Sequence, residues 1–267
     1  MIAVSPGVRE WILALADDKH LMGQQHAEWI GVTPFLEEDL AFCSIGQDEL
    51  GHAALLYELL VGDDDMAIDE LAFGRSADEY RSCHLAELAS TEWSVAFARH
   101  WLFDLADQLR WQLVADSAPQ ELRDIAARVE REEVFHRMHA DSILDVLLTD
   151  PAAQERLLLA VERLAPLVQG LFEPVSGEAD AIAEGVVSGP FADQWPTFVQ
   201  LVNERGQTLS LTKRDERGLT PSVTKRDEWG KTPSLAGQDA RRSRSDDWQP
   251  LMTRMREVID LDHNAIW

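Results

Sequence analysis

The chain is short of lysine, of cysteine and of long hydrophobic runs, and each shortage removes a class of protein. Four lysines, at positions 19, 213, 225 and 231, stand in a chain of 267 residues with 48 acidic side chains and a formal charge of −24. Binding to nucleic acid or to an anionic membrane draws its affinity from Lys and Arg, so neither is expected as a partner. Two cysteines, Cys43 and Cys83, are too few for a disulfide framework or a thiolate zinc site, and both are expected as buried thiols. Apolar runs such as 146–148 and 157–161 fall far short of the ~20 residues that span a bilayer. No charged and then apolar leader follows Met1, so a soluble, cytoplasmic protein is expected. So acidic and lysine-poor a surface suits a salt-rich cytoplasm, where screening weakens self-repulsion.

What is present is helical periodicity. Apolar residues recur at three- and four-residue spacing from 8 to 150, with no alternating stretch to suggest a strand. Breaks at Gly31 to Pro34 and at Gly62 to Asp65, and a start at Pro119, predict helices over 8–30, 35–61, 90–116 and 119–149. Two hairpins joined by a long acidic connection describe the ferritin-like form of the four-helix bundle, so the fold class is all-α in a single domain. Further helices are expected within 151–205 and over 246–260, the last with a stripe of Leu251, Met255 and Ile259. Residues 206–246 differ: Thr212 to Glu216 recurs as Thr224 to Glu228, and three of the four lysines lie there. Such composition cannot bury a core, so this segment reads as a mobile, repeat-containing insertion or a partner-binding arm.

Two of the eight histidines follow a glutamate by three positions, in Glu49-x-x-His52 and Glu133-x-x-His136. One such pair carries no information; two at the middle of the second helix of each hairpin do. Residues i and i+3 share a helix face, so each motif directs a carboxylate and an imidazole to one point, and two facing helices could bind two metal ions. The remaining helices would each add a carboxylate. Asp104, inside the apolar run Trp101 to Leu105, is the candidate on the third helix. On the first the choice lies between Asp17 and Asp18, and Asp18 is preferred because it shares its face with Trp11, Leu15, Met22 and Trp29. Carboxylate and imidazole donors without thiolate suit iron, with manganese as the alternative. The competing reading is a relic site, whose carboxylates would then be paired with Arg, Lys or His. His139 is either a support to that cluster or a polar edge. Trp11, Trp29, Trp93, Trp101 and Trp111 are assigned to the core.

The segments Leu15 to Asp18, Glu28 to Gly31 before Pro34, Leu36 to Ala41 leading to Ile45-Gly46, Phe103-Asp104, and the closing Pro250 to Met252 with Trp267 resemble the ferritin-like proteins of phenylacetate catabolism. The likeness is to the PaaC-type subunit of a ring-1,2-phenylacetyl-CoA epoxidase. It implies a PaaA-type catalytic di-iron partner, an acyl-CoA thioester substrate, and a flavin and iron–sulfur reductase that acts on the complex. In that family the PaaC-type chain is usually structural, its ligand positions replaced; Glu49, His52 and Glu133 depart from that pattern. The expectation is therefore a PaaC-type subunit with a di-iron site retained at Asp18, Glu49, His52, Asp104, Glu133 and His136. The alternatives are an independent di-iron oxygenase or a purely structural subunit with a relic site. Association through helices is expected, as a homo-oligomer when alone, with Trp93 and Trp111 near the contact.

Overall fold

The computed structural model describes residues 2–208 and 240–261. Helix α1 (Pro6–Ala27) starts where Ser5 Oγ accepts from Val8 N, with Pro6 in the first turn, where its missing N–H costs nothing. It runs back along α2 (Leu36–Val61). The turn between them needs a left-handed residue, supplied by Gly31 at φ 85°, and is tied by Asp39, whose Oδ1 accepts from Gly31 N and Thr33 N. After Gly62 the acidic connection is more structured than its composition suggests. It holds α3 (Asp65–Asp69), a wide turn over Glu70–Gly74 and α4 (His84–Glu87). The second hairpin is α5 (Trp93–Trp111) and α6 (Gln120–Leu147). Each predicted bundle helix is present, with ends displaced by a few residues, as fraying termini usually are.

Helix α7 (Pro151–Leu171), capped by Asp150, packs along α5, followed by α8 (Glu178–Ala183), α9 (Trp195–Thr208) and α10 (Trp248–Leu261). Among the described residues no strand occurs, only an isolated bridge between Val114 and Val187. No helix among them is long and apolar enough to cross a membrane. The repeat at 212–228 lies outside the described residues. Residues 240–246, assigned to the same segment from composition, are instead tied to the domain. Arg244 pairs with Glu87, and Ser245 N donates to Glu87 Oε2 at 2.8 Å. Cys83 is buried, Cys43 half-buried, and both are free thiols.

Among the described residues the apolar interior has, besides a small cluster of Trp29, Phe42 and Ala96, two large clusters with a polar layer between them. One joins Val8 to Ala16 of α1, Ala53 to Leu60 of α2 and Leu122 to Val129 of α6. The other joins α5, α7, α9 and α10 with Leu21 and Met22 of α1 and Ala140 and Leu144 of α6. The residues of α1 and α6 that fall between the clusters are 17–20 and 133–136, and these segments hold the buried charge. Trp11, Trp29, Trp101 and Trp111 are core, as expected; Trp111 is 5% exposed and so is not a surface residue for a partner. Trp93 is half-buried against Trp29 and Phe42.

Burial holds His20 neutral, pushed down to about 4, and His26 to about 3, the latter aided by the charge of Arg99. Their contribution to stability is complete above the unfolded value near 6.5 and is lost as the pH falls through the folded values. Phenylalanine at position 20 would keep the edge contacts with Tyr57 and Phe73. His20→Phe is expected to remove about 3 kcal/mol of the acid-induced loss, read from urea unfolding at about pH 7 and about pH 4.

Candidate metal centre and its internal cation

The two Glu-x-x-His motifs meet across the α2–α6 contact. Glu49, His52, Glu133 and His136 are all buried, and the acid preceding each glutamate reaches the histidine of the opposite motif. His52 Nε2 lies 2.6 Å from Glu132 Oε2, and His136 Nε2 lies 3.1 Å from Asp48 Oδ2. These reciprocal pairs explain why each motif begins with two acids: the first orients the facing imidazole, and the second points inward. Asp104 enters from α5, with His100 Nδ1 at 3.3 Å its nearest ring nitrogen and no hydrogen bond to either carboxylate oxygen. Two groups, Glu49–His52–Glu133 and Glu49–Asp104–His136, each bring ligand atoms within 4.8 Å of one another and could hold a metal ion.

The fourth helix contributes something else. Lys19 of α1, 1% exposed, places its ammonium 2.8 Å from Glu49 Oε2, 2.7 Å from Asp107 Oδ2 and 2.6 Å from Glu133 Oε1. Asp107 also accepts from the indole N–H of Trp111 at 2.8 Å. A buried lysine would normally lose its proton; here burial is outweighed by Asp107, Glu133 and Glu49, which hold its pKa well above the ordinary value. Burial pushes Glu49 up to about 7, with Lys19 drawing it back, and raises Asp104 and Asp107. Glu133 is held low by Lys19 and His136 against the effect of burial. Burial alone would lower His136, but its hydrogen bonds to Asp48 and Glu133 carry it to about 11, whereas burial takes His52 down to about 4. The layer is therefore balanced by two fixed cations, Lys19 and His136, against Glu133 and acids that burial disposes to stay protonated.

Five of the six residues singled out in the sequence come together: Glu49, His52, Asp104, Glu133 and His136. Asp18 does not join them. Its carboxylate accepts from Cys83 N at 2.7 Å, from Arg110 Nη1 at 2.9 Å and from Arg241 Nη1 at 2.9 and 3.0 Å, and these partners keep its pKa low despite burial. Asp17 faces Tyr57, Arg75 and the backbone N of Arg81. The choice by face failed for a physical reason: α1 is buried around its whole circumference from Trp11 to Met22, so no single face points inward. Asp107 and Lys19 were missed. Asp107 repeats from Asp104 the i+3 spacing of the motifs, and Lys19 is the one lysine in the first 212 residues, set in an apolar helix. His139 Nε2 lies 3.1 Å from Glu38 Oε1, a link between α2 and α6 at the edge of the cluster.

The donor set is that of a carboxylate and imidazole metal site, but the helix that would complete a two-ion centre supplies an ammonium in place of a carboxylate. With Lys19 bonded to Glu49 and Glu133, a second positive ion would meet its charge at the same oxygens, so the residues as they stand do not fit a two-metal centre.

An all-α ferritin-like bundle with paired Glu-x-x-His motifs at its centre defines the class. The chain belongs to the phenylacetic acid catabolic protein family, PaaA_PaaC, which matches residues 4–267. It is 28% identical over 185 residues to the C subunit of the 1,2-phenylacetyl-CoA epoxidase of Escherichia coli (strain K12), covering 67% of this chain and 73% of that protein.

Removing the cation while keeping the side-chain bulk isolates its contribution. Lys19→Met is expected to lower stability by about 3–5 kcal/mol, because it leaves buried carboxylates without their partner. Urea unfolding at neutral pH measures it, and the loss should shrink as the pH falls and Glu49, which burial pushes up to about 7, takes up a proton.

Proposed function

We propose that the chain is the PaaC-type subunit of a multicomponent phenylacetyl-CoA epoxidase, and that it binds and positions a PaaA-type catalytic subunit. Membership of the family and the likeness to an epoxidase C subunit support the role. Lys19 is the observation that separates it from an independent di-iron oxygenase, since the ammonium takes the inward position on α1 where such an enzyme needs a carboxylate. Exposed apolar side chains on α2 and α6, Leu36, Leu40, Phe135 and Met138, lie outside this layer and are the kind of surface that a helical partner covers. The acyl-CoA thioester and the flavin and iron–sulfur reductase belong to the assembled complex in this reading, and self-association replaces the heteromeric contact when the chain is alone.

In this role the residues of the polar layer position helices. Lys19 ties α1 to α2, α5 and α6 at one depth, and the His52–Glu132 and His136–Asp48 pairs fix the register of α2 against α6. Glu49, His52, Asp104, Glu133 and His136 are the residues that would hold a metal ion, iron or manganese, once Lys19 were replaced by an acid.

Two measurements test the reading. Co-expressed with a PaaA-type chain, the protein is expected to co-purify as a stoichiometric complex. Failure to do so, together with phenylacetyl-CoA oxidation by this chain and a reductase alone, would reassign it as an independent oxygenase. Iron analysis after chelator treatment is expected to show little metal in the wild type and a clear gain in Lys19→Glu. A full complement of iron in the wild type would refute the internal cation.

A further inference from the structure

The outer side of the α2–α6 seam carries an apolar surface with a charge pattern of its own. Leu36 and Leu40 of α2 and Val134, Phe135, Met138 and Val146 of α6 are each between 42% and 70% exposed, and large apolar side chains gathered in this way mark a contact surface. On α6 the central stripe runs through Arg131, Phe135, Met138, Ser142 and Asp145, spaced three or four apart and exposed throughout, so it presents one face of the helix. Its charges are polarised: Arg128 and Arg131 come before Phe135, Asp141 and Asp145 after Met138. Acids near a helix C-terminus oppose the macrodipole, and the last turn of α6 holds no basic residue to offset them, so the helix itself does not explain the order. Arg131 and Asp145 form no hydrogen bond or ion pair among the described residues, and no residue three or four positions from either has the opposite charge. Both lie equally far along the helix from Met138, one on each side, so the stripe is complementary to its own reverse.

We propose that α6 makes a two-fold contact with α6 of a second copy of this chain, antiparallel and centred on Met138. Arg131 of each copy then faces Asp145 of the other, and Phe135 packs over Ser142, the small residue of the stripe. Copies of a chain of charge −24 repel one another, and a stripe polarised in this way is what turns the repulsion into attraction at the contact. The flanking helix fits the same rotation. The His52–Glu132 and His136–Asp48 pairs set Met138 level with Gly46 of α2, so the two-fold axis brings Leu40 close to Gly51 of the second copy. A Cβ at Gly51 would meet nothing closer than Arg128 Nη2 at 3.9 Å among the described residues, which leaves room for that side chain. This is the face that the proposed function gives to a PaaA-type subunit. The dimer stands without that role; its consequence, that the second copy and the PaaA-type subunit exclude one another, rests on it.

Sedimentation velocity on the full chain in about 0.15 M salt tests the contact. The wild type is expected to be a dimer that dissociates on dilution, and Phe135→Asp a monomer. Arg131→Asp and Asp145→Arg should each weaken the dimer about tenfold or more, because either reversal brings like charges together twice, and the double variant that exchanges them should recover to within about threefold of the wild type. These positions are exposed, so far-UV circular dichroism should be unchanged in every variant. A monomeric wild type at about 50 µM, a dimer indifferent to Phe135→Asp, or a double variant no tighter than the single ones would each overturn the proposal. A monomeric wild type that co-purifies with a PaaA-type chain and loses it in Phe135→Asp would give the face to that subunit and refute the self-contact. The expected dimer, with no binding of a PaaA-type chain, would sink the subunit role and leave the self-contact standing.

Discussion

The ammonium of Lys19 is the interaction on which the rest of the bundle depends. Carboxylates from α2, α5 and α6 turn into the same buried layer, and without a cation their desolvation would drive the helices apart or force every acid to be protonated. A single lysine on α1 reaches one acid from each of the three other bundle helices. It acts at a fixed depth, so it sets register as well as charge.

The two aspartates before it extend the same logic outward. Asp17 and Asp18 are as buried as Lys19 but face away from the layer, toward Arg75, Arg110 and Arg241. Through them α1 holds the connection between the hairpins and the segment that leads into α10. Three consecutive charged residues on one central helix thus serve three directions, which is possible only because α1 is enclosed on all sides. For a member of a family with paired Glu-x-x-His motifs, the consequence is a site whose ligand types are mostly present while its charge balance is supplied from within.

The openness between α5 and α6 contrasts with this packing. The buried layer is closed by ion pairs on the α1 and α2 sides, whereas Gln108, Arg137 and Trp101 border unfilled space on the other.

Helix positions, the hairpin order and the two Glu-x-x-His motifs were legible in the sequence because they follow from local rules: apolar spacing, Gly and Pro breaks, and the i, i+3 geometry of a single helix. Five of the converging residues were legible, four through the i, i+3 motifs and Asp104 as an acid inside an apolar run at mid-helix. The role of α1 was decided by tertiary structure alone. Asp17, Asp18 and Lys19 are adjacent, and a helix buried all round has no hydrophobic face by which to rank them. Lys19 meets Glu133 across 114 residues of chain, a pairing that no periodicity encodes, and Asp18 is claimed by Arg241 from beyond the repeat, 223 residues away. Sequence determined which side chains could bear charge inside the bundle; the packing of four helices determined which of them met, and hence that the central cation is a lysine.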